Sequence, residues 1–153
     1  MSSISSSNDR GPRLGALLRL ASQVMAERHL EWLKSSGFDD IQPAHSAVFQ
    51  PLWEHPEGAR LTTLARASRV TKQSMSALVD HLEKQGYVAR VPDPEDARAS
   101  LVSLTARGRA FTRAIRAFAD EQEQDWAKRV GARRLDDLHT TLDLLRRSWL
   151  AEE

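Results

Sequence analysis

Apolar positions recur at steps of three and four over residues 12–34, through Leu14, Leu17, Leu18, Ala21, Val24, Met25, Trp32 and Leu33. That period predicts an amphipathic helix with one face toward a core. Pro12 suits its first turn and Gly37 its exit. A second stripe, Ala44, Val48, Phe49 and Leu52, predicts a helix over 43–53 with Pro43 in its first turn. Pro51 lies inside it. A proline there removes a hydrogen bond, so a bend or stop is expected near Gln50. Such a break would open a cavity beside Phe49. His55-Pro56-Glu57-Gly58 then reads as a turn.

A short helix is expected over 63–68, capped by Thr62 or Thr63, followed by a tight connection at Arg69-Val70. Thr71 is a good N-cap for a helix over 72–85, in which Met75, Leu78, Val79 and Leu82 face a core and Gly86 ends the run. The period then changes to two. Residues 87–91 and 101–105 read as strands. Between them, two prolines and three acids predict a protruding hairpin loop over 92–100, with no buried part. Helical spacing returns over 106–130, through Phe111, Ile115, Phe118 and Trp126, and Gly131 breaks it. The final helix carries Leu135, Leu138, Leu142, Leu145 and Trp149, a coiled-coil-like seam of barely two heptads. An intramolecular core helix fits the same pattern.

Helix, short helix, tight turn, longer helix and hairpin is the order of a winged helix-turn-helix. The fold class is therefore mainly α with a small β-hairpin wing. At about 100° per residue, the side of the 72–85 helix opposite Met75 and Leu82 carries Gln73, Ala77 and Lys84. Ser74, Ser76 and His81 lie on the flanks. The outward N-terminal half, Lys72, Gln73, Ser74, Ser76 and Ala77, is small or hydrogen-bonding, as entry into a DNA major groove requires. Gln73 suits an adenine edge, Ser74 and Ser76 bases or phosphates, and Ala77 a thymine methyl. Thr71 and the helix N-terminus suit phosphate. The alternative is a solvated helix face with ordinary polar residues.

Charge favours the groove reading. The net charge is only +1, yet residues 60–91 hold six basic residues against two acidic ones, so the basic block is central. Composition sets the outer bounds. At 153 residues, 41% apolar and 28% charged, the chain suits one soluble domain. The absence of cysteine excludes disulfides and thiolate metal sites. No run of about 18 apolar residues exists to form a transmembrane helix. The Ser-rich residues 1–11 have no apolar h-region, so they read as a disordered tail and the location as cytoplasmic. The five histidines (His29, His45, His55, His81, His139) fall in no recognised zinc motif, so no metal or cofactor is expected. No nucleophile elbow or phosphate-cradling glycine loop is present, which argues against an enzyme.

Three pieces carry a family resemblance. They are Leu64-Ala65, the stretch from Thr71-Lys72-Gln73-Ser74-Met75-Ser76-Ala77 through Gly86-Tyr87-Val88, and Asp93-Pro94-Glu95-Asp96-Ala97-Arg98 followed by Leu104-Thr105. In this order they resemble the MarR family of winged helix-turn-helix regulators, and the flanking helices extend the resemblance to residues 12–150. One departure stands in the wing, where Ala97 replaces the first of two adjacent arginines. The resemblance gives the remaining Arg98 either a minor-groove contact or a supporting role in the wing, and pairing with Asp80 or Asp96 is the structural form of the second. Arg90 and Arg66 are further phosphate candidates, with a solvated-face role as the alternative.

The resemblance also implies a homodimer. Residues 12–37 and 106–150 would form a helical dimerisation region, and residues 43–105 a DNA-binding lobe. It implies a repressor on an inverted repeat of double-stranded DNA, released by a small phenolic or lipophilic effector. Trp32, His45, Phe49, Trp53 and Phe111 belong to elements that flank the family's usual pocket; core packing is the alternative for each. Two other readings are a winged lobe that binds protein, favoured by the acidic wing and Ala97, and a cofactor-free regulator without ligand control.

Overall fold

A computed structural model describes residues 11–150, with side chains through residue 148. The tail expected over 1–11 lies outside them except for Gly11, as does the Trp149 side chain of the final seam. The chain divides after Leu104 into two compact units.

The first unit opens with α1 (Leu14–Ser35). It starts after Pro12 rather than around it, with Arg13 as N-cap, and Gly37 takes the positive φ of the exit. Leu33 is its one buried residue among those described, whereas Leu14, Leu17, Leu18, Val24 and Met25 are exposed. The expectation of a core-facing helix thus fails over most of α1.

A 3-10 turn, Pro43–His45, leads into α2 (Ser46–Glu54). Of the bend or stop expected near Gln50, the stop does not occur: the helix runs through Pro51 to Glu54. The reason is local. A proline at 51 has no N–H for the carbonyl of Ala47, four residues back. The Ser68 hydroxyl donates to that carbonyl instead, at 2.6 Å. With the orphan acceptor satisfied, the helix has no need to break. Pro51 and Phe49 are buried, so no cavity opens beside Phe49 from a broken helix.

Strand β1 (Ala59–Arg60) and helix α3 (Leu61–Ala67) follow. The helix begins at Leu61, and Arg60 stands at its N-cap in place of the expected threonines. Gly58 is required where the chain enters β1. Its φ is +101°, and a Cβ there would meet the carbonyl oxygen of Val102 at 2.8 Å. Arg69 takes a positive φ of 53° in the turn before α4 (Lys72–Lys84). The Thr71 hydroxyl oxygen accepts from the Ser74 N–H at 3.0 Å, which is the expected N-cap.

Strands β2 (Val88–Asp93) and β3 (Asp96–Leu104) make the wing, and the sheet order is β1-β3-β2. Both strands run deep into the segment expected to be a loop, leaving only Pro94 and Glu95 between them. Pro92 is tolerated because β2 is an edge strand, where a missing N–H breaks no interior ladder. Asp93 is buried, contrary to the expectation of a wholly protruding segment. Met75, Val79, Leu82, Tyr87, Val88 and Val102 join Val48, Phe49, Leu52 and Leu64 in the core of this unit. Its fold is the expected mainly helical one with a small β wing, enlarged by the third strand.

The second unit holds α5 (Ala106–Val130) and α6 (Ala132–Leu150), separated at Gly131 as expected. Thr105 caps α5 by accepting from the Gly108 N–H at 3.1 Å. Leu138, Leu142 and Leu144 are exposed on α6. No helix among the described residues is long and apolar enough to cross a membrane.

Candidate nucleic-acid interface

Helix α4 is sorted by burial. Met75, Val79 and Leu82 are fully buried, which fixes its inner face. Thr71, Lys72, Gln73, Ser74, Ala77 and Lys84 are exposed, and Ser76 is half-buried. The outward half carries short polar side chains around Ala77, at the positive end of the helix dipole. Thr71 and Ser74 also hydrogen-bond each other through their hydroxyls at 2.8 Å. The cap therefore orders two of the candidate contacts before any ligand arrives.

His81 sits differently from the other candidates. Its ring stacks on His45, centroids 4.9 Å apart and planes 27° from parallel. His45 is buried, and its Nδ1 accepts from the backbone N–H of Gln42 at 3.0 Å. Burial lowers the His45 pKa, and the nearby His81 lowers it further against a smaller opposing pull from Asp40. The neutral ring is thus the native form, because a proton on Nδ1 would replace the acceptor that Gln42 uses. Stability linked to His45 is full above its unfolded pKa of about 6.5 and is lost as pH falls through the lowered folded value. Thermal melts from pH 8 downward should show the midpoint falling below about pH 6.5. His45→Asn, which keeps an acceptor but no titrating ring, should flatten that fall.

The two wing arginines separate. Arg90, on β2, donates from its guanidinium to Asp80 at 2.6 Å and pairs with Glu83, while its backbone N–H donates to Glu83 at 3.1 Å. It ties the wing to α4, and its charge is offset by two carboxylates. Arg98 is exposed on β3 and forms no ion pair among the described residues. Only its backbone N–H is engaged, donating to Asp96 at 3.1 Å. Asp80, weighed as a partner for Arg98, is taken by Arg90. Arg66 is exposed on α3.

Sequence reasoning did not single out Arg60. Its guanidinium donates to the buried Asp93 at 2.7 Å through Nε and 2.6 Å through Nη2. The Glu95 backbone N–H and then Arg60 hold the Asp93 carboxyl below its usual pKa. The signal was present in the turn-forming Asp93-Pro94 pair, but the partner lies 33 residues away.

Of the five pocket candidates, Trp32 and Phe49 fall in one aromatic cluster. Phe38 stands 6.4 Å from Trp32 and 6.3 Å from Tyr87, and Phe49 meets Tyr87 edge-on at 6.0 Å. Phe38 and Tyr87 were not among the candidates, and the Tyr87 hydroxyl donates to Asp40 at 2.6 Å. His45 stacks on His81, Trp53 is half-buried at the end of α2, and Phe111 is a buried residue of α5.

Residues 39–99 match the model of the MarR family. A stretch of 52 residues is 40% identical to the transcriptional activatory protein BadR of Rhodopseudomonas palustris, covering 34% of this chain and 30% of that protein. A stretch of 82 residues is 29% identical to the HTH-type transcriptional repressor YetL of Bacillus subtilis, covering 46% of this chain and 49% of that one. The matches thus span half or less of these curated relatives. The fold is similar to that of FabT from Streptococcus pneumoniae, solved in complex with DNA, with a TM-score of 0.81 and 18% identity over 92% of this chain and 98% of that one.

Proposed function

We propose, from the match of residues 39–99 to the MarR family model, that this chain is a MarR-type regulator: a homodimeric, sequence-specific DNA-binding transcriptional regulator of the cytoplasm. The observation that carries the reading is the outer face of α4. It presents a capped N-terminus and short polar side chains, while the inner face is fully buried. Such a helix fits a major groove without steric conflict. Arg98, exposed on the wing, is assigned to the flanking minor groove.

The dimer rests on α1. Leu14, Leu17, Leu18, Val24 and Met25 are exposed along one side of α1, an apolar stripe that a lone soluble protein rarely leaves bare. A second copy of the chain is the partner that covers it, with residues 12–37 and 106–150 as the dimerisation region and 43–105 as the DNA-binding lobe. Repression, an inverted-repeat operator and release by a phenolic or lipophilic ligand complete the proposal on the strength of the family resemblance. The aromatic cluster of Trp32, Phe38, Phe49 and Tyr87 is the place where such a ligand would be felt.

A mobility-shift titration against the DNA upstream of this chain's own gene, with random duplex as competitor, tests the reading. Neutralising six to ten phosphates makes affinity fall by about 10³–10⁵ between 50 and 200 mM salt. Binding that is specific and that steep is expected. Binding that survives salt unchanged would favour a protein-binding lobe.

A further inference from the structure

The tip of the wing is held by charge across an open space. Pro94 and Glu95 line an open cavity of about 350 Å³ together with Gly58, Arg60 and Thr63. The two turn residues are exposed and border that open space. Arg60, on β1, reaches across to Asp93 with two nitrogens, at 2.7 and 2.6 Å, and stands 3.7 Å from Asp96. Each of these carboxylates uses its other oxygen on a wing amide. Asp93 accepts from the Glu95 N–H at 2.9 Å, and Asp96 accepts from the Arg98 N–H at 3.1 Å. One guanidinium thus holds two acids, and each acid orders one backbone position of the turn.

We propose that Arg60 is a positioning residue that sets the wing tip and, through Asp96, the reach of Arg98. This rests on the DNA-binding reading above. Arg60 itself lies on β1, and its fork is occupied by the wing carboxylates, so its effect on DNA passes through the wing. Without Arg60 the Asp93 carboxylate is left buried and unpaired, which a wing tip over open space relieves by opening. Two guanidinium nitrogens converge on the one oxygen, Oδ2, that the Glu95 amide leaves free, and the planar group that does this is Arg60's alone; a lysine ammonium has no second nitrogen to offer.

The test joins amide exchange with a double-mutant cycle. In Arg60→Gln, the Glu95 and Arg98 amides should exchange about tenfold faster, while the Val79 and Leu82 amides keep their protection as the control for an intact lobe. Affinity is then measured for a duplex enriched from a random pool by the unmodified protein. Arg60→Gln should weaken binding about tenfold in the native background and less than about twofold when Arg98→Ala is already present. Asp93→Asn is the second variant and should show the same coupling to Arg98→Ala. Additive losses would overturn the proposal, since Arg60 would then act independently of Arg98. Unchanged exchange with intact DNA binding would overturn the latch alone. Failure of the native protein to enrich any duplex would overturn the DNA reading, and with it the role of Arg60 toward DNA.

Discussion

Ala77→Glu is expected to abolish specific DNA binding while leaving the melting temperature of the protein unchanged. Ala77 is exposed at the middle of the outer face of α4, and Met75, Val79 and Leu82 beneath it carry the packing at 0% exposure. A glutamate in a helix interior at an exposed site changes stability by less than about 0.5 kcal/mol. Pressed against the base edges of a major groove, between two rows of phosphates, the same carboxylate loses its water and gains no cation. An unpaired charge taken out of water costs about 3–5 kcal/mol. At about 1.4 kcal/mol per tenfold, that is roughly two to three and a half powers of ten in affinity. Fluorescence anisotropy on an enriched duplex, beside a thermal melt, measures both quantities. Undiminished affinity would mean that α4 does not enter the groove.

The second large effect concerns assembly. Leu17 and Val24 are 48% and 53% exposed and sit seven residues apart on α1, hence on one face of the helix. Burying such a side chain against a partner stabilises by about 1.5–3 kcal/mol, and a two-fold interface counts each residue twice. Leu17→Glu with Val24→Glu removes that gain and places four like charges at the interface. Sedimentation should find the native protein dimeric at micromolar concentration and the variant monomeric. The lobe core lies elsewhere, so the helical signal should persist. A dimeric variant would move the interface off this stripe.

What the sequence made legible followed from local chemistry. Thr71 caps α4, its apolar positions step by three and four, and Gly131 parts the last two helices, each signalled within a few residues. What stayed hidden depended on partners distant along the chain. Strand β1 is two residues long and has no alternation to read; its pairing with Val102 and Leu101 on β3 defines it. Pro51 signalled a break, and the Ser68 hydroxyl, 21 residues from Ala47, removed the need for one. The wing segment was rich in proline and acid, the usual marks of a loop. Yet Pro92 sits on an edge strand, and Asp93 is drawn inward by Arg60.

The candidate site divides along the same line. The outward residues of α4 followed from helical period alone. The arginines did not, because period says nothing of which acid each one meets. Asp80, a candidate partner for Arg98, is held by Arg90 instead, and this leaves the Arg98 guanidinium exposed on the wing. His81 lies on the predicted flank of α4, but its stacking on His45 needs the turn at Pro43–His45 to be packed beside that helix.

The central claim is that two copies of α4 enter successive major grooves. Guanine-N7 methylation protection on a duplex enriched by the native protein tests it most directly, since N7 lies in the major groove. Two protected patches centred about one helical turn apart, ~34 Å, on the same face of the DNA are predicted. Both should vanish with Ala77→Glu. A single patch, or specific binding with no protection in the major groove, would contradict the account.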